Sequence, residues 1–145
     1  MDAVILTRIL VGFLLPAMLF AVVAGVRAEE TAVPAPVIKE VTPAEAQALI
    51  QANAGNAGFV ILDVRTPEEF AAGHLAQAVN LDYYAKGFGA ELGKLDRART
   101  YLVYCRSGKR SAAAVDMMKE LDFKAVYGLT GGIIAWTEAG LPTLT

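Results

Sequence analysis

The sequence predicts an α/β domain built on a mainly parallel sheet, and three observations carry that expectation. Two apolar runs, FVILDV at residues 59–64 and TYLVYC at residues 100–105, lack polar alternation, the pattern of strands covered on both faces. Segments with helical spacing alternate with these strand-like runs along the chain. Cys105, the only cysteine, closes one of the runs just before a helical pattern, and in such sheets ligands gather at that end of the strands.

Residues 1–28 stand apart from the fold. Positions 9–26 are 18 residues without a charge, and they admit two readings. One is a secretory signal, with Arg8 ahead of the apolar stretch and Val26-Arg27-Ala28 before a cut after Ala28. The other is an uncleaved membrane anchor, since the stretch reaches the roughly 17–25 residues that span a bilayer. Asp2 weakens the basic start, and Arg8 and Arg27 sit one on each side, which spoils the asymmetry that orients an anchor. Both readings ordinarily make the domain periplasmic or otherwise exported; an inverted anchor leaves it in the cytosol.

Residues 29–40, with Pro34 and Pro36 and little periodicity, read as an extended linker, and residues 41–145 as one compact domain. The first helix is expected over 43–52: Thr42 caps it, Pro43 suits its first position and Glu45 completes a capping box. Asn53 to Gly58 stop it, and the first buried strand follows. A short helix over 67–72 ends at Gly73, and residues 78–81 read as another strand. Residues 83–95 are glycine-broken and read as a loose helix between loops. After the cysteine-bearing strand, Ala113, Val115, Met117, Met118 and Leu121 form an approximate helical stripe. A strand over 125–129 and a closing helix stopped by Gly140 and Pro142 complete the domain.

A net charge of −2 gives no case for nucleic acid as a partner, so the basic character of residues 104–114, YCRSGKRSAAA, is local. With a single cysteine no intramolecular disulfide forms, and Cys105 is a free thiol. Its plainest reading is a small buried apolar residue. Its neighbours argue otherwise. Arg106, Lys109 and Arg110 supply positive potential, Gly108 lets the backbone turn inward, and a helix amino terminus follows. Each favours thiolate over thiol, so the Cys105 pKa is expected below its free value of about 8.5. The same loop suits an oxyanion, although any one cation alone reads as ordinary surface solvation.

Three segments resemble the rhodanese family. ILDVRTPEEFAAGHLAQAVNL at 61–81 is similar to its first signature, VYCRSGKRSAAAV at 103–115 to its active-site loop, and LTGGIIAWTEAGLP at 129–142 to its closing signature. With the preceding export signal, the chain most resembles the small periplasmic, phage-shock-protein-E-like rhodaneses. The resemblance implies a single domain with helices on both faces of the sheet, and a thiosulfate sulfurtransferase. By analogy Cys105 takes a sulfane sulfur from thiosulfate or a related donor and passes it as a persulfide to cyanide or a thiol. The loop of Arg106, Ser107, Gly108, Lys109 and Arg110 would bind the persulfide and a small anionic donor, and no metal or organic cofactor is needed.

Loop length separates this reading from cysteine-dependent phosphatases, whose C-x5-R pattern would put arginine where Ser111 stands. Asp63, Arg65 and Ser111 are expected to support the loop, with a salt bridge or a capping contact the plainer role for Asp63, Arg65 and Glu69. His74, in a glycine-flanked turn, suits a backbone hydrogen bond better than base catalysis. Gly131 and Gly132 are expected to allow close approach near the active site, and Trp136 to pack in the core. Tyr83, Tyr84 and Phe88 line the pocket mouth or cover the core. A reading from another class is a binding or relay module in which Cys105 carries persulfide to or from a protein partner. Without coiled-coil heptads or an exposed apolar stripe, a monomer is the expected state.

Overall fold

The computed structural model describes residues 32–145, and residues 33–145 form one compact unit. The expectations for residues 9–26 and for a cut after Ala28 lie outside the described residues. Ten elements follow one another as β1 (Val37–Val41), α1 (Pro43–Ala52), β2 (Phe59–Asp63), α2 (Pro67–Ala72), β3 (Val79–Asn80), α3 (Phe88–Gly93), β4 (Thr100–Tyr104), α4 (Lys109–Glu120), β5 (Ala125–Leu129) and α5 (Gly132–Glu138). The strands form one sheet in the order β1-β5-β4-β2-β3, with every pairing parallel.

Helices cover both faces, and each face has its own core. Leu62, Val103 and Val126 meet Phe88 and Leu92 of α3 and Ala114, Val115 and Met118 of α4 on one side. Ile61, Leu102 and Leu129 meet Ala46 of α1 and Trp136 of α5 on the other. Adjacent residues of β2 and β4 therefore serve opposite cores, which is why neither strand alternates in polarity. Tyr101 lies edge-on to Phe123, ring centroids 5.4 Å apart, and its hydroxyl donates to the Asp96 carbonyl at 2.7 Å.

Two expectations need correction. Residues 37–40, read as linker, belong to β1, which pairs with β5 from Val37 opposite Ala125 to Val41 opposite Leu129. The strand lies at the sheet edge with Lys39 and Glu40 exposed, so its VIKEV sequence lacks the apolar run that marks the central strands. The inward stripe of α4 also differs, running through Ser111, Ala114, Val115 and Met118, with Ala113 and Met117 only half-buried. A buried serine hid the true stripe from a reading based on apolar spacing.

The connections are fixed by the expected chemistry. The Thr42 hydroxyl accepts from the Glu45 amide while the Glu45 carboxylate accepts from the Thr42 amide, and Thr66 and Glu69 repeat this at α2. Both helices have proline in the first turn.

Candidate active site

Strand β4 ends at Tyr104, so Cys105 leaves the ladder at the carboxyl edge of the sheet between β2 and β5. The chain turns through Arg106 and Ser107 to Gly108, whose φ of +102° lies in the region that favours glycine, and α4 begins at Lys109. This turn brings the Gly108 amide back to the Cys105 sulfur, 3.1 Å from Sγ. The thiol lies 3.5 Å from the Ser111 hydroxyl, which itself donates to the Gly108 carbonyl at 3.1 Å.

The first turn of α5 orients the loop from outside. Its amides lack helical partners, and those of Ile133 and Ile134 donate to the Cys105 and Arg106 carbonyls at 2.9 and 3.2 Å. In a trans peptide the amide points opposite to the carbonyl, so the amides of Arg106 and Ser107 face away from α5. Such closeness requires Gly132. With φ at +61°, a Cβ there would overlap the carbonyl groups of Cys105 and Arg106.

Cys105 is almost fully buried, at 1% exposure. Burial pushes its pKa up, but the hydrogen bond shared with the Ser111 hydroxyl and those from the amides of Ser111, Gly108 and Ser107 outweigh it and hold the thiol below its ordinary range. The expected direction therefore stands with a different leading cause. Hydrogen bonds aimed at the sulfur come first, and the surrounding cations act at longer range.

Asp63 and Arg65 form a buried ion pair beside Tyr104, the residue that precedes Cys105. Arg65 donates from Nη2 to the Asp63 carboxylate at 2.7 Å and to the Gly73 carbonyl at 2.6 Å, while its amide donates to Asp63 Oδ1 at 2.9 Å. Burial opposes the Arg65 charge, but Asp63 overrides it and the guanidinium pKa is raised. The Arg65 guanidinium also lies 5.6 Å from the centre of the Tyr104 ring, and the Tyr104 hydroxyl accepts from the Leu75 amide at 3.1 Å. Asn80 straps the same region by donating to the carbonyls of Asp63 and Arg65.

The three cations, treated as one group in the sequence, separate in the structure. Arg106 and Lys109 are exposed, and neither forms a salt bridge among the described residues. Arg110 is instead engaged by Glu69: its Nη1 and Nη2 donate to the two carboxylate oxygens, each at 2.8 Å. The Arg110 guanidinium lies 5.3 Å from the centre of the Tyr84 ring. The hydrogen bonds from Arg110 hold the Glu69 carboxyl well down, at a pKa of about 2. Arg110, expected among the residues of the anion-binding loop, thus has its fork on a carboxylate from α2.

The remaining expectations resolve by contact. His74 Nδ1 is 2.9 Å from the Phe70 carbonyl, and its backbone bridges to Leu144, in accord with a structural role. Trp136 is buried and donates to the Pro142 carbonyl at 2.9 Å. Phe88 is core, whereas Tyr84 is 68% exposed beside Arg110. A cleft of about 320 Å3 beside the loop is lined by Glu69 and Arg106 and by Ile133, Ile134 and Thr137 of α5. The Tyr84 contact, the Asn80 strap and the α5 amides were missed in the sequence; only the paired glycines at the start of α5 signalled close approach there.

A buried, hydrogen-bonded sulfur with a depressed pKa, ringed by inward amides and exposed cations, can act as a nucleophile toward a small anion. The rhodanese-like domain family matches residues 42–139. A sulfurtransferase of Allochromatium vinosum is 33% identical over 98 residues, covering 68% of this chain and 90% of its own. Thiosulfate sulfurtransferase 16 of Arabidopsis thaliana is 37% identical over 97 residues, with 60% and 81% covered. Among solved structures, a rhodanese-related protein of Thermoplasma volcanium is 30% identical, with a TM-score of 0.57 over 73% of this chain and 97% of that one.

Proposed function

The chain belongs to the rhodanese-like domain family, and on that premise we propose that it is an exported sulfurtransferase using thiosulfate or a related sulfane-sulfur donor. The observation that carries the reading is the Cys105 sulfur, held by the Gly108 amide and Ser111 at the edge of a parallel sheet. Relatives named as sulfurtransferases support sulfur transfer, and the Arabidopsis relative supports thiosulfate as the donor to try first.

The Cys105 thiolate attacks the outer sulfur of thiosulfate. A new S–S bond forms as the old one breaks, and sulfite leaves with the electron pair. The outer sulfur of the Cys105 persulfide is then attacked by cyanide carbon or a thiolate, and the Cys105 thiolate departs unchanged. No external oxidant or reductant enters when cyanide is the acceptor, because the sulfane sulfur is only handed on. The loop amides stabilise the negative sulfur at each stage, while Arg106 and Lys109 attract the dianionic donor. Asp63, Arg65 and Ser111 are assigned to holding the geometry around Cys105.

The decisive experiment combines intact mass after thiosulfate alone with turnover to cyanide, for the chain and for Cys105→Ser. A cysteine-dependent gain of about 32 Da with turnover is expected. An adduct without turnover would direct the function to persulfide relay toward a protein partner. No adduct on folded protein would rule out thiosulfate as donor. Export rests on the uncharged stretch at 9–26, and the amino-terminal residue of protein recovered from cell fractions tests it: Glu29 is expected for a cleaved signal, and the intact amino terminus in the membrane fraction for an anchor.

A further inference from the structure

The three loop cations do not share one role. Both terminal nitrogens of Arg110 are committed to Glu69 at 2.8 Å, and Tyr84 lies against the guanidinium. Glu69 is itself fixed, since its Oε2 also accepts from the Thr66 amide at 3.0 Å in the capping box of α2. The Glu69 and Arg110 side chains are 28% and 15% exposed, so this pair is less screened than the surface pairs of Lys94 with Glu91 and Arg99 with Asp96. It places one full negative charge beside the loop that must receive an anionic donor.

We propose that Glu69 is a positioning residue that masks Arg110, holding its charge and its fork away from the donor and thereby limiting the loop's affinity for anions. Donor attraction then falls to Arg106 and Lys109, which are exposed and unpaired among the described residues. The consequence is a site of restrained anion affinity. A thiosulfate-derived sulfite, or a bystander such as sulfate, leaves a loop with two free cations faster than one with three. The same clamp ties α2 to the first turn of α4, the turn that carries Ser111 beneath the sulfur.

The proposal rests on the sulfurtransferase reading for its kinetics but not for its binding measurement. Glu69→Gln keeps an oxygen to accept from the Thr66 amide and removes the negative charge, so Arg110 is unmasked with the cap largely preserved. The KM for thiosulfate is expected to fall about three- to tenfold, with kcat unchanged or lower, and the fall should shrink with added salt. In parallel, sulfate should protect Cys105 from iodoacetamide at about three- to tenfold lower concentration than in the unsubstituted protein. The double variant Glu69→Gln/Arg110→Gln should lose both gains, because no charge remains to unmask.

Unchanged or weaker sulfate protection in folded Glu69→Gln protein would overturn the masking role and leave the pair purely structural. Persistence of the gain in the double variant would overturn it equally, by assigning the effect to Glu69 alone. Should Glu69→Gln prove too unstable to assay, Glu69→Asp shortens the carboxylate's reach while keeping its charge. Looser pairing then predicts tighter sulfate protection, and no change would overturn masking. If the unsubstituted protein takes no sulfur from thiosulfate, the donor reading fails while the sulfate measurement still decides the masking.

Discussion

At the scale of single residues, the site depends on groups with no room to change. Gly132→Ala would add a Cβ where the Cys105 and Arg106 carbonyls lie, at a φ of +61°. We expect a loss of about 2–4 kcal/mol in urea unfolding, together with loss of sulfur transfer, because relief of the overlap must push the loop. Arg65→Ala has another mechanism. It leaves Asp63, whose side chain is fully buried, without its counter-charge, at an expected cost of about 3–5 kcal/mol. Asp63→Asn in the Arg65→Ala background should regain part of that loss, since the buried charge is gone, and the urea midpoints of Arg65→Ala and the double variant decide it.

Single residues also show what could be read from the chain. Cys105, Gly108 and Ser111 are close neighbours in sequence, so they could be considered together from local spacing. Asp63 and Arg65 are two apart at one strand end, a placement that left a salt bridge or a capping contact open, and the structure has the salt bridge. Arg110 and Glu69 are 41 positions apart. Nothing local to the basic loop announces that one of its three cations is already occupied, and only the approach of α2 to α4 makes the pair.

At the scale of elements, helix starts were the most legible feature because capping chemistry is local. Pro43–Ala52 and Pro67–Ala72 begin as their caps require, and they end at Asn53 and Gly73. Edge strands were the least legible. β1 has one hydrogen-bonded neighbour and β3 has only two residues, so neither needs the long apolar run that betrays β2 and β4. The two capping boxes give a paired prediction. Thr42→Ala and Thr66→Ala should each cost about 1 kcal/mol by urea unfolding. Only Thr66→Ala should also change the iodoacetamide rate of Cys105, because Glu69 of that box holds Arg110 beside the loop. Equal effects of both substitutions on that rate would show that the clamp does not reach the sulfur.

At the scale of the whole molecule, folding and the site share one titration. The folded state holds the Cys105 pKa below its ordinary value, whereas the unfolded chain has a free thiol near pH 8.5. Between those two values the unfolded state binds more protons than the folded state, so stability must rise as pH rises through the window. Above the unfolded value the gain is complete, and it disappears as pH falls through the folded value. Glu69 has the same sign in acid: its contribution is full above the ordinary 4.5 and is lost as pH falls through about 2. Glu69 is common to the protein and to Cys105→Ser, so urea unfolding of the two under reducing conditions, from about pH 5 to 9.5, isolates the thiol. The stability difference between them should shift in favour of the cysteine protein as pH approaches 8.5, then run level. A difference that stays flat across the range would mean that the Gly108 amide and Ser111 do not favour the thiolate, and the nucleophile would need activation by the bound donor.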